Sequence, residues 1–390
     1  MPCTKAKQPD SRQSSNRWLW GLSLGMAALM LISQPSLAED RTISTKAGQI
    51  KVETIADGLQ HPWGLAFLPD GRLLVTERPG RLRLLADGKL SKPLSGVPKV
   101  FAQGQGGLLD VALDPDFKSN RLVYLSYAEP GEGGASTAVA RGKLAETGLD
   151  DVEIIFRQLP KVDGGNHFGS RLAFSPDGKL FITLGERFKF TPAQDLSSHL
   201  GKIVRINPDG SVPKDNPFLG RKDARPEIWS YGHRNAQGAA IHPKTGKLWE
   251  NEFGPLGGDE LNIPQAGVNY GWPVVSWGKH YDGSDIPNPP THPEFADAIY
   301  HWTPVISPSG MTFYTGEAIP GWKDNLLIGG LSSEAIVRLT LDGEKVVDEE
   351  RIPMGSRIRD VAEAPDGSLY ALTDDGDDKI LRLSLENSPK

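Results

Sequence analysis

Apolar and polar residues alternate along this chain in short runs that keep returning to the same turn. The first full instance runs from Gly64 to Leu68, turns at Pro69-Asp70-Gly71, and continues as a second apolar run to Glu77. Proline presets the first turn position and glycine supplies a positive φ. The β-branched and aromatic residues on either side predict two paired strands. The pattern recurs at Pro115-Asp116, at Pro176-Asp177-Gly178 and at Pro243. It is degenerate at Pro320-Gly321 and clear again at Pro365-Asp366-Gly367. That makes six copies, with turn prolines 45 to 77 residues apart. Strand hairpins repeated at this period predict an all-β, six-bladed β-propeller. No long helical periodicity follows residue 39. One helical turn is expected over 195–200, and surface loops over 185–200 and 273–305.

A second regularity lies just ahead of the turns. His61 precedes Pro69 by 8 residues, Gln105 precedes Pro115 by 10 and His167 precedes Pro176 by 9. Arg234 precedes Pro243 by 9, and Arg357 precedes Pro365 by 8. Equal offsets in a propeller mean equal positions in each blade. If they mark the start of the innermost strand, these side chains meet at one mouth of the central channel. His61 also fits a plain strand cap. His167 sits in Gly164-Gly165-Asn166-His167-Phe168-Gly169-Ser170, where small residues let backbone approach closely. Arg357 and Arg359 fall on one side of a strand by the period of two, and two guanidinium forks suit a polycarboxylate or phosphate. Residues 231–273 add an Arg-Asn pair, Gly254-Pro255, Asp259-Glu260 and Asn269-Tyr270. That mixture suits an anionic ligand with a hard cation.

Composition narrows the setting. Lys5, Lys7, Arg12 and Arg17 precede an apolar run from Trp18 to Ile32, and Ser36-Leu37-Ala38 is a small-x-small site. Residues 1–38 therefore read as a secretory signal peptide, with a single propeller domain over 39–390 and a periplasmic or secreted mature chain. The only cysteine, Cys3, lies in that signal, so the core must hold without disulfides. The full chain carries −6; removing the signal's net +3 leaves −9. This excludes nucleic acid as a general partner, and no membrane span is expected in the mature chain. There is no P-loop, G-x-G-x-x-G, H-E-x-x-H, haem attachment site or nucleophile elbow. Asp374-Asp375-Gly376-Asp377-Asp378 lacks the spacing of a calcium loop and reads as a solvated turn.

Taken together, several motifs resemble the soluble quinoprotein glucose and aldose sugar dehydrogenases. They are Gly104-Gln105-Gly106-Gly107, Gly165–Leu172, Leu200–Arg205, Gly232–Gly238, Gly254-Pro255, Asn269–Pro273 and Arg357–Val361. The resemblance spans nearly the whole mature chain in the same order. It implies pyrroloquinoline quinone (PQQ) and Ca²⁺ as cofactors, an aldose sugar as substrate, and a diffusible electron acceptor. It makes His167 the general base and Arg234 the cation beside the reactive quinone oxygen. Gln105 and Asn235 become polar ligand contacts, and Arg357 and Arg359 partners of the PQQ carboxylates. The carbonyls of Gly254 and Pro255 become ligands of the catalytic Ca²⁺, with Glu260 and Tyr270 at a second, structural calcium. Two positions depart from the glucose-oxidising members: Asn166 replaces an Asp before the base, and Ser332 replaces a Lys on the PQQ. Both changes place the chain closer to the broad-specificity aldose branch. A calcium-dependent propeller lactonase and a non-catalytic glycan- or protein-binding propeller remain the alternatives.

Overall fold

A computed structural model describes residues 40–386. Six antiparallel sheets make up the fold, and each predicted hairpin forms the inner half of one sheet. The innermost strands are Pro62–Phe67, Leu108–Leu113, Gly169–Phe174, Ala236–Ile241, Pro308–Phe313 and Ile358–Glu363. Each packs against the next, and the last returns to the first, which closes a six-bladed propeller. The sixth blade is completed from the other end of the chain. Gly48–Leu59 pairs with Asp378–Leu385, and Arg41–Thr45 adds a fifth strand.

The core is divided into wedges between blades. Trp249 and Leu261 of the fourth blade pack with Met311, Phe313 and Leu326 of the fifth. Leu74 and Leu82 of the first pack with Leu108, Val111 and Val123 of the second. This is why most second strands open on apolar residues, both faces of a blade being covered; Leu248–Glu252 departs from this by burying Glu250, Asn251 and Glu252. At the centre the inner strands are tied by charge. Arg171 Nη1 donates to Asp110 Oδ1 at 2.9 Å and Asp360 Oδ2 at 3.1 Å, and its guanidinium lies over the Trp63 ring. A side chain at Gly310 would place its Cβ 1.6 Å from Asp360 Oδ1, so the hub requires glycine there.

Every innermost strand carries a register shift near its start, including Gly169 to Leu172 and Ile358 to Asp360. A bulge adds a residue and re-aims side chains. Arg357 precedes the strand and a register shift falls between Ile358 and Asp360, yet Arg357 and Arg359 line one cavity while Ile358 is buried in the core, as the period of two predicted.

Three expectations need correction. The helical turn falls at Thr191–Gln194, not 195–200, because Pro192 starts it and Asp195 is extended. The 185–200 segment is mixed, with Gly185–Arg187 and Ser198–Leu200 buried and Phe188 exposed, and 273–305 contains Tyr300–Trp302, the outer strand of the fourth blade. The Asp374–Asp378 run is not simply solvated. Asp374 and Asp378 are buried; Asp378 accepts the backbone N–H groups of Asp375, Gly376 and His61. The signal-peptide reading lies outside the described residues. Among those described, no helix is long and apolar enough to cross a membrane.

Candidate functional site

His61, Gln105, His167, Arg234 and Arg357 each stand one to three residues ahead of an innermost strand. The repeat thus brings them to the same end of the channel. A cavity of about 340 Å³ opens there, lined by His61, Trp63, Arg78, Gln105, Arg357 and Arg359, with Gln237, Phe253 and Asp374. His167 and Arg234 are outside that lining but joined to it. Gln105 Oε1 accepts the His167 N–H at 2.8 Å, and the Phe253 carbonyl accepts Arg234 Nη1 at 3.0 Å.

His167 is held in one orientation. Its backbone has φ 54°, its carbonyl accepts the Arg187 N–H at 3.2 Å, and its Nδ1 meets Glu186 Oε1. Glu186 is fully buried, and its other oxygen accepts the N–H groups of Lys189 and Phe190. With Nδ1–H donated to this carboxylate, Nε2 keeps its lone pair and has no partner among the described residues. Burial lowers the pKa of His167, and Arg234 and Arg187 push the same way against the pull of Glu186. Burial alone would raise Glu186, but the His167 hydrogen bond and charge hold it below the ordinary value. Both directions favour a neutral imidazole that donates Nδ1–H to the Glu186 carboxylate.

Arg234 is buried with its guanidinium between Trp272 and Tyr281, and Nη2 donates to Tyr281 Oη at 2.8 Å. Its Nε has no partner. Glu252 Oε2 accepts the backbone N–H groups of Arg234 and Asn235, which fixes the entry to the fourth inner strand. Asn235 Oδ1 accepts the Gly169 N–H at 3.1 Å, so this side chain braces the His167 loop. Gln105 does the same from the other side. Both residues expected to contact ligand thus also act as loop braces.

The two C-terminal arginines differ. Arg359 is buried, donates Nε and Nη2 to Asp374 Oδ2 and Nη1 to Gln237 Oε1 at 2.7 Å. The Arg359 charge, against the cost of burial, depresses Asp374 to about 2. Arg357 is half-buried, and its guanidinium donates only to the carbonyls of Asp374 and Leu331, at 3.2 and 3.5 Å. Arg78 adds a third guanidinium, with a buried, unpartnered Nε. Three arginines against one carboxylate leave the cavity cationic, so a flat polycarboxylate such as PQQ fits its chemistry. Hard-cation donors are also present. No described hydrogen-bond donor engages the Gly254 or Pro255 carbonyl, while Asp259 Oδ1 accepts the Gly254 N–H at 2.9 Å. Glu260 lies beside Glu252, Tyr270 and Gly254 around a small polar cleft. Burial, and after it the Glu252 charge, raise the Glu260 pKa well above normal.

Arg78, Glu186, Arg187 and Tyr281 escaped the sequence reading. Glu186-Arg187 has a visible signal: a charge pair one residue, Gly185, after the wholly buried strand Leu180–Leu184. Arg187 donates to the carbonyls of Asn166 and Gly164 and lies over the Phe168 ring, so a cation occupies the neighbourhood of Asn166. Ser332 Oγ donates to the Val305 carbonyl at 3.3 Å and provides no charge.

Comparison with known proteins agrees with this geometry. Residues 59–382 match the family described as Glucose / Sorbosone dehydrogenase. The aldose sugar dehydrogenase YliI of Escherichia coli K12 is 48% identical over 347 residues, covering 87% of this chain and 94% of that protein. The soluble aldose sugar dehydrogenase of Escherichia coli in its apo form superposes with a TM-score of 0.82 and 47% identity, covering 86% of this chain and 99% of that one. The PQQ-bound aldose sugar dehydrogenase of Streptomyces coelicolor gives a TM-score of 0.71 and 31% identity, over 88% of this chain and 99% of that one. A six-bladed propeller with a buried histidine–carboxylate pair beside an arginine-lined cavity, matched along nearly all of its described length, therefore belongs to the glucose/sorbosone dehydrogenase family.

Proposed function

We propose that this chain is an exported, PQQ- and calcium-dependent aldose sugar dehydrogenase that oxidises the C1 hydroxyl of aldoses to lactones. The single observation that carries this reading is the His167–Glu186 pair set against a cavity lined by three arginines. Arg357 and Arg78 would bind the carboxylates of PQQ, with Arg359 held in place by Asp374. The carbonyls of Gly254 and Pro255 would hold the Ca²⁺, and Glu260 with Tyr270 a second, structural one. When bound, the quinone supplies the two-electron acceptor for the hydride leaving C1, and Ca²⁺ polarises it.

The chain's own groups do the rest. His167 Nε2 takes the proton of the C1 hydroxyl, and Glu186 stabilises the imidazolium that forms. Arg234, already held by the Phe253 carbonyl and Tyr281, would offer its positive charge to the developing negative charge without reorganisation. Gln105 and Asn235 keep the base in register. Phe188, 39% exposed, stands 5.1 Å from the His167 ring and helps exclude water from it. Electrons then leave to a diffusible acceptor. Removal of residues 1–38 during secretion would deliver the enzyme to the periplasm or medium.

The test is reconstitution of the purified mature chain with PQQ and Ca²⁺, followed by sugar-dependent dye reduction. The holo spectrum should bleach on adding an aldose. A chain that binds PQQ without bleaching, or that hydrolyses lactones with no PQQ present, refutes the proposal.

A further inference from the structure

A second group of ligating side chains lies behind Arg234, in the body of the fourth blade. His233, Glu250 and Glu252 each offer one ligand atom, and these atoms lie within 4.8 Å of one another. All three residues are buried; His233 and Glu250 have no exposure at all. His233 Nδ1 is 3.2 Å from Glu252 Oε1 and 3.6 Å from Glu250 Oε1. Ligand atoms about 2.1 Å from a tetrahedral metal are about 3.4 Å apart, so these spacings suit a shared ion.

Two further features of these residues, beyond their spacing, point the same way. Glu250 Oε2 and Asn262 Oδ1, both fully buried, have no hydrogen-bond partner, although Asn262 Nδ2 donates to Glu250 Oε1 at 3.0 Å. A buried carboxylate oxygen without a donor is costly unless a cation sits against it. On the far side of the imidazole, His233 Nε2 is 2.9 Å from Ser230 Oγ. If Nε2 donates that bond, Nδ1 presents its lone pair to the carboxylates, which is the arrangement of a metal-bound histidine with its outer partner.

The geometry points to a structural site for a divalent transition ion, best matched by Zn²⁺, held by His233 Nδ1 and the carboxylates of Glu250 and Glu252. The imidazole argues against Ca²⁺, which takes oxygen ligands. The site shares no ligand with the expected calcium positions at Gly254-Pro255 and Glu260-Tyr270, and it does not depend on the sugar dehydrogenase reading. Its consequence for the active site runs through Glu252. One oxygen faces the metal position while the other accepts the N–H groups of Arg234 and Asn235. Bound metal would thus pin the turn that presents Arg234.

The probe is Zn²⁺ itself, added to the mature chain after chelator treatment, with binding read by native mass spectrometry and melting temperature. One equivalent should bind, survive a hundredfold excess of Ca²⁺, and raise Tm by at least about 3 °C at saturating metal. Glu250→Gln should lose the zinc equivalent and the Tm shift while still taking up Ca²⁺. Substituting Co²⁺ into the wild-type protein gives a readout that needs no variant: an intense tetrahedral visible spectrum supports the site. No bound zinc, zinc retained in Glu250→Gln, or a weak octahedral Co²⁺ spectrum would each overturn it. So would a metal-free Glu250→Gln protein as stable as zinc-loaded wild type, since that would mean Glu250 simply carries a proton.

Discussion

Replacing Glu186 with Gln tests the proposed base most directly, because the structure constrains what the amide can do. Glu186 Oε1 faces His167 Nδ1, and Oε2 accepts two backbone N–H groups, with Phe190 N at 2.7 Å. An amide has one acceptor oxygen. If that oxygen serves the two backbone donors, the –NH₂ faces Nδ1, which must then accept a hydrogen bond. The proton moves to Nε2, and the base loses the lone pair it needs. If the amide turns round, two backbone donors are left facing another donor. The first arrangement removes a charge-assisted bond of about 1.5–3 kcal/mol, and the second strands buried donors at about 1–3 kcal/mol. At about 1.4 kcal/mol per tenfold, with loss of a positioned base adding to this, kcat should fall by about 10²–10⁴. Glu186 does not line the arginine-rich cavity, so the affinity for PQQ should stay within about threefold. Dye-reduction kinetics and PQQ titration of the same preparation separate the two. The variant should also move the acid limb of kcat/KM to lower pH, because the imidazolium loses its carboxylate partner. A variant with kcat within threefold of wild type would refute the role assigned to the pair.

Three more outcomes are expected. The acid limb of kcat/KM should have its midpoint below 6.5: burial lowers the pKa of His167, so activity is full above that pKa and lost as pH falls through it; a midpoint at or above 6.5 contradicts this. Arg359→Ala should destabilise the fold by about 3–5 kcal/mol in denaturant titration, since it leaves buried Asp374 without its main partner, whereas Arg357→Ala should cost under about 1 kcal/mol yet weaken PQQ binding by about tenfold or more. Equal stability losses for the two would show that the burial difference is unimportant. Gly310→Ala should cost about 3 kcal/mol or more, because its Cβ would overlap Asp360 in the central charge hub; a variant melting with the wild type would mean that the hub can shift.

How much of this was legible in the chain varies by kind of feature. The six Pro-Asp-Gly-type turns specify the inner hairpins, because turn chemistry is local and each turn requires particular residues at particular places. The offset before each turn located His61, Gln105, His167, Arg234 and Arg357 at one mouth, because a repeat transfers geometry from blade to blade. The outer strands and the closure of the sixth blade by Gly48–Leu59 carried no such marker; strand pairing over more than 300 residues is decided by which edge is left open. The period of two correctly put Arg357 and Arg359 on one side, because the bulge falls beyond Ile358, the one residue between them. The acidic run at 374–378 looked solvated because its charges are adjacent in sequence, yet two of its members meet cations and backbone donors from distant segments.

The sequence by itself thus determined the blade count, the turn positions and the place of His167 ahead of an innermost strand, all of which rest on local residue preferences and their repetition. The tertiary structure alone decided which charges pair. Glu186 orients His167, Asp374 occupies Arg359, Arg78 joins the cavity, and Glu252 links Arg234 to a buried histidine. Electrostatic and hydrogen-bond partners are fixed by distance and burial, and neither is written in the spacing of residues along the chain.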